Sequence, residues 1–165
     1  MGLAGWNGGG AWQRIFDFGV DTVNYVMLTP LTGDTGKMRC DIRVNNVTQT
    51  VTAPAALPTN VWVQVALTLD GQNGILYSNG VPVVTNAVSF LPLQTLAQTN
   101  HLGRSKFVAD PYFNGQIANF RAYGRALSAT EIAALTATQL SGLNSTSFGA
   151  LTAAELAFLT PAQIK

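Results

Sequence analysis

The sequence predicts a mainly β fold, an antiparallel β-sandwich jelly roll with a short α-helical C-terminal extension, and three observations carry that prediction. Apolar and polar residues alternate at period two in short blocks separated by Gly, Pro, Asn and Asp. Two turn signatures, Asp70-Gly71-Gln72-Asn73-Gly74 and Asn79-Gly80, divide β-branched runs from one another as hairpins do. Past the strand formers Ile117, Phe120 and Tyr123, Ser128-x-x-Glu131 stands as a capping box ahead of apolar Ile132 and Leu135.

Taken in order, strands are expected over Trp12 to Gly19, Asn24 to Thr29, Lys37 to Val44, Thr48 to Ala53, Val61 to Asp70, Gly74 to Ser78, Val81 to Thr85, His101 to Arg104 and Gln116 to Tyr123. That many strands need two packed sheets. In the third, Met38, Cys40 and Ile42 alternate with Lys37, Arg39, Asp41 and Arg43, which makes Cys40 a small buried hydrophobe and turns Asp41 outward. The fifth to seventh form a meander, with Asn79-Gly80 supplying the positive φ angles of a type I′ turn. Phe16, Phe18 and Phe120 read as packing residues, and so does Trp62 at a strand start.

Several of these strings resemble the laminin G-like, concanavalin A-like jelly rolls. Asn114-Gly-Gln-Ile-Ala-Asn-Phe-Arg-Ala-Tyr-Gly-Arg-Ala-Leu-Ser-Ala-Thr-Glu-Ile is similar to the recurrent closing strand of that family. Trp62-x-x-Val65-Ala66-x-Thr68-Leu69, followed by Tyr77-x-Asn79-Gly80-x-x-Val83, resembles its central hairpin, with Gln64 in place of the usual His at a position read as outward and polar. Trp12-Gln-Arg-Ile-Phe-Asp-Phe-Gly19 through Pro30, with Gly103-Arg-Ser105 and Asp110-Pro-Tyr-Phe-Asn-Gly115, extends the likeness to the subgroup often attached to bacterial glycoside hydrolases and surface proteins. The resemblance implies a jelly-roll domain over residues 1–126. It also implies a strand before Trp12 of which only Ala4-Gly-Trp6 is recognisable, so the amino end reads as truncated and one sheet edge as vacant, open to strand addition by a neighbour.

Residues 127–165 repeat with a period of eight: Leu127, Leu135, Leu143, Leu151 and Leu159 are each followed by Ser, Thr or Asn, then mostly by Glu or Gln and an apolar residue. An unbroken helix would rotate this Leu stripe by roughly 80° per unit, so the chain is expected to bend at each cap into a stack of short helices. The alternative is one amphipathic helical hairpin packed on the jelly roll.

With 47% apolar residues the chain can build a core without staples, and one cysteine excludes an intrachain disulfide. Nine basic against eight acidic residues leave a net charge of +1, too little field for nucleic acid. No apolar run approaches the ~18 residues of a membrane span, so membrane insertion is not expected. A surface rich in Thr, Asn, Gln, Gly and Ser points to an extracellular or surface-associated protein; Met1-Gly-Leu-Ala carries no basic signal region, so any export signal would lie outside these residues.

Catalysis is not expected. The acids sit in turns, caps or alternating strand positions, with no Glu-x-Asp-x-Glu string, and lone His101 reads as a polar strand residue. Calcium is the candidate cofactor that the resemblance implies, with Asp17, Asp21, Asp110 and Asn119 as ligands, although the family's acidic pair falls here on Ala118-Asn119. For a glycan, the candidate aromatic platforms are Trp6, Trp12, Tyr25 and Tyr112. The sequence thus points first to a non-catalytic adhesion or assembly module of a larger surface, fibre or virion-associated protein, whose partners are protein neighbours reached through the open sheet edge and the octad tail. The alternative is a carbohydrate-binding accessory domain of a glycoside hydrolase.

Overall fold

The computed structural model describes residues 1–141. Among them ten strands build two five-stranded antiparallel sheets packed face to face. The first sheet has the order β10-β1-β6-β7-β8, from Gly115–Ala118, Gly2–Trp6, Trp62–Leu69, Asn73–Ser78 and Val81–Ala87. The second has the order β5-β4-β3-β2-β9, from Val47–Thr52, Arg39–Val44, Tyr25–Thr29, Phe16–Gly19 and Thr99–Leu102. A 3₁₀ turn at Pro92–Thr95 precedes β9, and helix α1 spans Ala129–Ser141.

Alternation decides which side chains fill the space between the sheets. Ala4, Trp6, Val63, Val65 and Leu76 of the first sheet pack on Phe16, Val26, Leu28, Cys40, Ile42 and Val51 of the second. Phe16, Phe18 and Phe120 form an aromatic cluster with centroids 5.0 to 6.1 Å apart. Cys40 lies fully inside this core, where burial pushes its thiol well above the usual range. The β7–β8 turn has the expected left-handed pair, Asn79 at φ 49° and Gly80 at 80°, and Asn45-Asn46 close β4 to β5 in the same way at 49° and 70°.

The amino end forms a short strand inside the first sheet. β1 lies between β10 and β6 and is bonded to both, pairing with Trp62 to Val65 of the longer β6. Five residues with two neutral glycines carry too little alternation to be read as a strand, yet Ala4 and Trp6 face inward and both ladders close.

Further corrections follow from local geometry. The segment from Trp12 to Ile15 is not strand: Trp12 is left-handed at φ 66°. β10 ends at Ala118 because Asn119, at φ 52°, turns the chain out of the ladder before Tyr123. Gln64 is fully buried, and its Oε1 accepts from the Gly80 N–H at 3.0 Å, closing the turn from beneath. Trp62 pairs with Gly5 and points away from the core.

The capping box forms as expected: Glu131 N–H donates to Ser128 Oγ at 3.3 Å, and Ser128 N–H to Glu131 Oε2 at 2.9 Å. Ile132 is inserted against Ala66 and Tyr77 on the outer face of the first sheet, beside Leu127. The bend expected after Leu135 is absent, since α1 continues to Ser141. The octad units from Leu143 onward lie outside the described residues.

Candidate functional site

The outer face of the second sheet carries a groove. β4 turns Arg39, Asp41 and Arg43 outward, opposite Thr52, Thr50 and Thr48 of β5 and Thr29, Met27 and Tyr25 of β3. One cross-strand row reads His101, Asp17, Met27, Asp41, Thr50. Two loops rise over this face, residues 7–15 before β2 and 103–114 after β9. Between them lies a groove of about 450 Å³ lined by Trp12, Arg14, Tyr25, Met27, Arg39, Asp41, Thr48, Thr50, Phe107 and Asp110. That volume falls within the ~300–1,000 Å³ range of small-molecule sites.

Both loops are held by buried polar side chains. Gln13 Oε1 accepts from Trp6 Nε1 at 3.1 Å and from the Asn114 N–H at 2.7 Å, while its Nε2 donates to the Gly8 and Gly10 carbonyls at 3.2 and 3.0 Å. Every hydrogen-bonding position of that amide is engaged, so one side chain fixes the first sheet and both loops. Arg14 donates through Nη2 to Asp110 Oδ2 at 2.8 Å and through Nη1 to the Trp12 carbonyl at 2.6 Å, and its Nε lies 3.6 Å from Asp17. Ser105 adds a 2.7 Å bond to Asp110. Lys106 Nζ reaches Asp17 Oδ1 at 3.2 Å, and the Lys106 N–H bonds Oδ2 at 3.0 Å.

At the floor Arg39 and Asp41 pair, Nε to Oδ1 at 2.8 Å, with Asp34 holding the same guanidinium from outside at 2.7 Å. Arg39 Nη2 also donates to Asp41 Oδ2 at 3.2 Å, so the floor pair is joined at both carboxylate oxygens. Burial, opposed by Arg39, raises the pKa of Asp41 above the ordinary carboxylate value. Burial likewise raises that of Tyr25, with the Asp41 charge adding to it. Phe107 meets Tyr25 edge-on at 5.8 Å, and both Arg14 and Arg39 stand near the Trp12 ring, at 5.7 and 5.0 Å.

Of the four aromatic candidates the fold therefore brings Trp12 and Tyr25 into the groove. Trp6 is only 3% exposed and serves the core and Gln13, which corrects its reading as a platform. Tyr112 is 68% exposed beside Arg104, outside the lining.

The four candidate calcium ligands do not converge. Asp17 and Asp110 are both engaged by cations, Asp21 caps its own turn through the Val23 and Asn24 N–H groups, and Asn119 follows β10 in the opposite sheet. Among the described residues no three acidic, His or Cys side chains gather in a metal-binding group.

The sequence reading had missed Arg14, Arg39, Asp41, Thr48, Thr50 and Phe107 as site residues. A usable signal was present: a charged stripe on β4 lies opposite a threonine stripe on β5, a pairing unlike plain solvent-facing alternation.

The model of the concanavalin A-like lectin/glucanase superfamily, in its laminin G form, matches residues 6–133. Among solved structures the chain is similar to domain 4 of AbnA, an extracellular GH43 arabinanase from Geobacillus stearothermophilus, in complex with arabinotriose. That match has a TM-score of 0.70 at 21% identity, over 81% of this chain and 63% of that one, so this chain spans less than two thirds of its length. The CBM40 of the Ruminococcus gnavus IT-sialidase, bound to α2,3-sialyllactose, gives 0.64 at 22% identity, over 82% and 79%. A heptameric SAP-like pentraxin from Limulus polyphemus gives 0.52 at 13% identity, over 82% and 67%. Identities this low show a shared fold. No curated protein sequence matches the chain.

Proposed function

The chain belongs to the concanavalin A-like lectin/glucanase superfamily, and from that premise we propose that it is a non-catalytic carbohydrate-binding module of an extracellular protein. Its ligand lies in the groove on the outer face of the second sheet. The observation that carries this reading is the groove itself, about 450 Å³, in which Trp12 and Tyr25 stand beside Thr48, Thr50 and the Arg39–Asp41 pair. Sugar hydroxyls, each both donor and acceptor, suit a lining that mixes threonine hydroxyls with a charged pair. Trp12, Tyr25, Met27 and Phe107 supply the apolar walls against which the C–H face of a sugar ring rests.

Charge favours a neutral glycan. Arg14, Arg39 and Lys106 are each paired with an aspartate among Asp17, Asp34, Asp41 and Asp110, so the groove offers an anion no net attraction. Both neighbours solved with oligosaccharide, one neutral and one acidic, share this fold and support glycan binding as a class. The adhesion or assembly reading rests chiefly on the octad tail, whose units from Leu143 onward lie outside the described residues. Calcium would have to compete with Arg14 and Lys106 for Asp17 and with Arg14 for Asp110.

Titration of the ¹⁵N-labelled chain with arabinotriose, lactose and sialyllactose tests the proposal. Saturable shifts are expected at Arg39, Asp41, Thr50 and Phe107, abolished by Arg39→Met. The absence of shifts on this face across a broad glycan panel would reject it.

A further inference from the structure

The outer face of the other sheet carries a second arrangement of an indole and free amides. Across β10, β1 and β6 a cross-strand row reads Gln116, Gly5, Trp62, all pointing away from the core. Gly5 has no side chain, and Trp62 fills the space above it. A Cβ built on Gly5 would lie 3.3 Å from Trp62 Cδ2 and Cε2 and 3.4 Å from Cε3. Cδ2 and Cε2 are the fusion atoms in the middle of the indole. Near-equal approach to both means that Gly5 meets the ring on its face, so the indole lies flat on the sheet with its other face turned outward.

Around the ring lie Asn7, Asn60 and Gln116, which with Gly5, Val61 and Trp62 line a shallow cavity of about 200 Å³. The amides are held in place through their backbones: the Asn7 N–H bonds the Asn114 carbonyl at 2.9 Å, the Asn60 N–H bonds the Trp6 carbonyl at 2.6 Å, and Gln116 is in the β10 ladder. No hydrogen bond among the described residues engages the three side-chain amides, and all three residues are exposed. The lining contains no charged residue.

We propose that Trp62, resting on Gly5 and flanked by Asn7, Asn60 and Gln116, is a second glycan site that takes one neutral pyranose unit. The electron-rich indole face attracts the polarised C–H bonds of one face of a pyranose ring. The amides offer both donors and acceptors to equatorial hydroxyls at its edge, and the absence of charge removes any preference for acidic sugars. A protein partner would instead require a broad apolar surround with the aromatic at its centre, whereas this indole is ringed by amides. Because the two sites lie on opposite faces of the sandwich, one chain would hold two strands or two turns of a polysaccharide, raising its apparent affinity for a dense matrix without new contacts.

The test is a titration of the full ¹⁵N-labelled chain with cellotriose, xylotriose, mannotriose and maltotriose, following the three Trp Nε1–H signals. Carried to about 10 mM, it detects sites as weak as ~1 mM. At least one sugar should move the Trp62 signal saturably while Trp6 stays still. Trp62→Ala should remove those shifts and leave any at Thr50 and Phe107 unchanged, and Gln116→Ala, an exposed change with no folding risk, should weaken them about threefold or more. If none of the four moves Trp62 in folded protein, or if the Asn7, Asn60 and Gln116 shifts survive Trp62→Ala, the second site does not exist. That outcome leaves the groove on the other sheet unaffected, since its own shifts are read separately.

Discussion

Trp6 and Gln13 meet in the interior, indole N–H to amide oxygen at 3.1 Å, and through that bond a strand of the first sheet holds the loop that carries Trp12 and Arg14 over the second. The site is thus fixed by a core contact that no groove-lining residue makes. Gln13→Ala removes four hydrogen bonds at once, two of them fully buried. A loss of about 3 kcal/mol or more is expected in urea unfolding, with weakened glycan binding wherever the fold persists.

Among the described residues Arg14 is the only cation bonded to Asp110, and it shares Asp17 with Lys106. Its side chain is 3% exposed. Arg14→Met keeps the length but leaves Asp110 with Ser105 alone, so about 3 kcal/mol of stability should be lost. Arg14→Met with Asp110→Asn should recover part of that loss in a double-mutant cycle.

Asp41 titrates above an ordinary aspartate because burial disfavours its charge. As pH falls, glycan binding should therefore decline in a window above the usual aspartate value of 3.8, as the floor loses its acceptor. In the same window the folded state binds more protons than the unfolded, so this group's contribution to stability rises while binding falls. Calorimetric titration against pH, with Asp41→Asn as control, checks both signs. The variant should bind weakly and show no acid limb of its own.

Gln64 is buried on the outer side of β6 and accepts from Gly80. Gln64→Ala leaves a cavity and an unpaired turn N–H, with an expected loss of about 2 kcal/mol in urea unfolding. Glycan binding on the opposite sheet should be unchanged.

Glu131 is held down to about 2 by Arg125, with the Ser128 N–H and hydroxyl adding to the effect. A carboxylate depressed from 4.5 to about 2 contributes stability that is complete above 4.5 and disappears as pH falls through about 2. Acidification should therefore loosen the start of α1, and the methyl signals of Ile132 should report its departure from Tyr77. Glu131→Gln should weaken that dependence, and Ser128→Ala should fray the helix even at neutral pH.

Much of the fold was legible because it is written locally. Period-two alternation in Arg39–Val44 places Cys40 and Ile42 inside whatever lies around them, Asn79-Gly80 imposes its turn, and Ser128 and Glu131 cap α1 within four residues of chain. Sequence alone thereby determined a sandwich of antiparallel hairpins with a capped helix after its last strand, low in charge. Tertiary structure decided what each outward-facing residue does. Asp41 and Gln64 alternate as solvent residues do, and are buried only because loops or a turn distant in sequence close over them. Trp62 reads as core by size, yet lies flat on the outer surface because its cross-strand neighbour is a glycine contributed by a strand more than fifty residues away. Such neighbours are set by which strands meet and in what register, and the pairing of distant strands depends on the packing of the whole sandwich rather than on any short stretch of sequence.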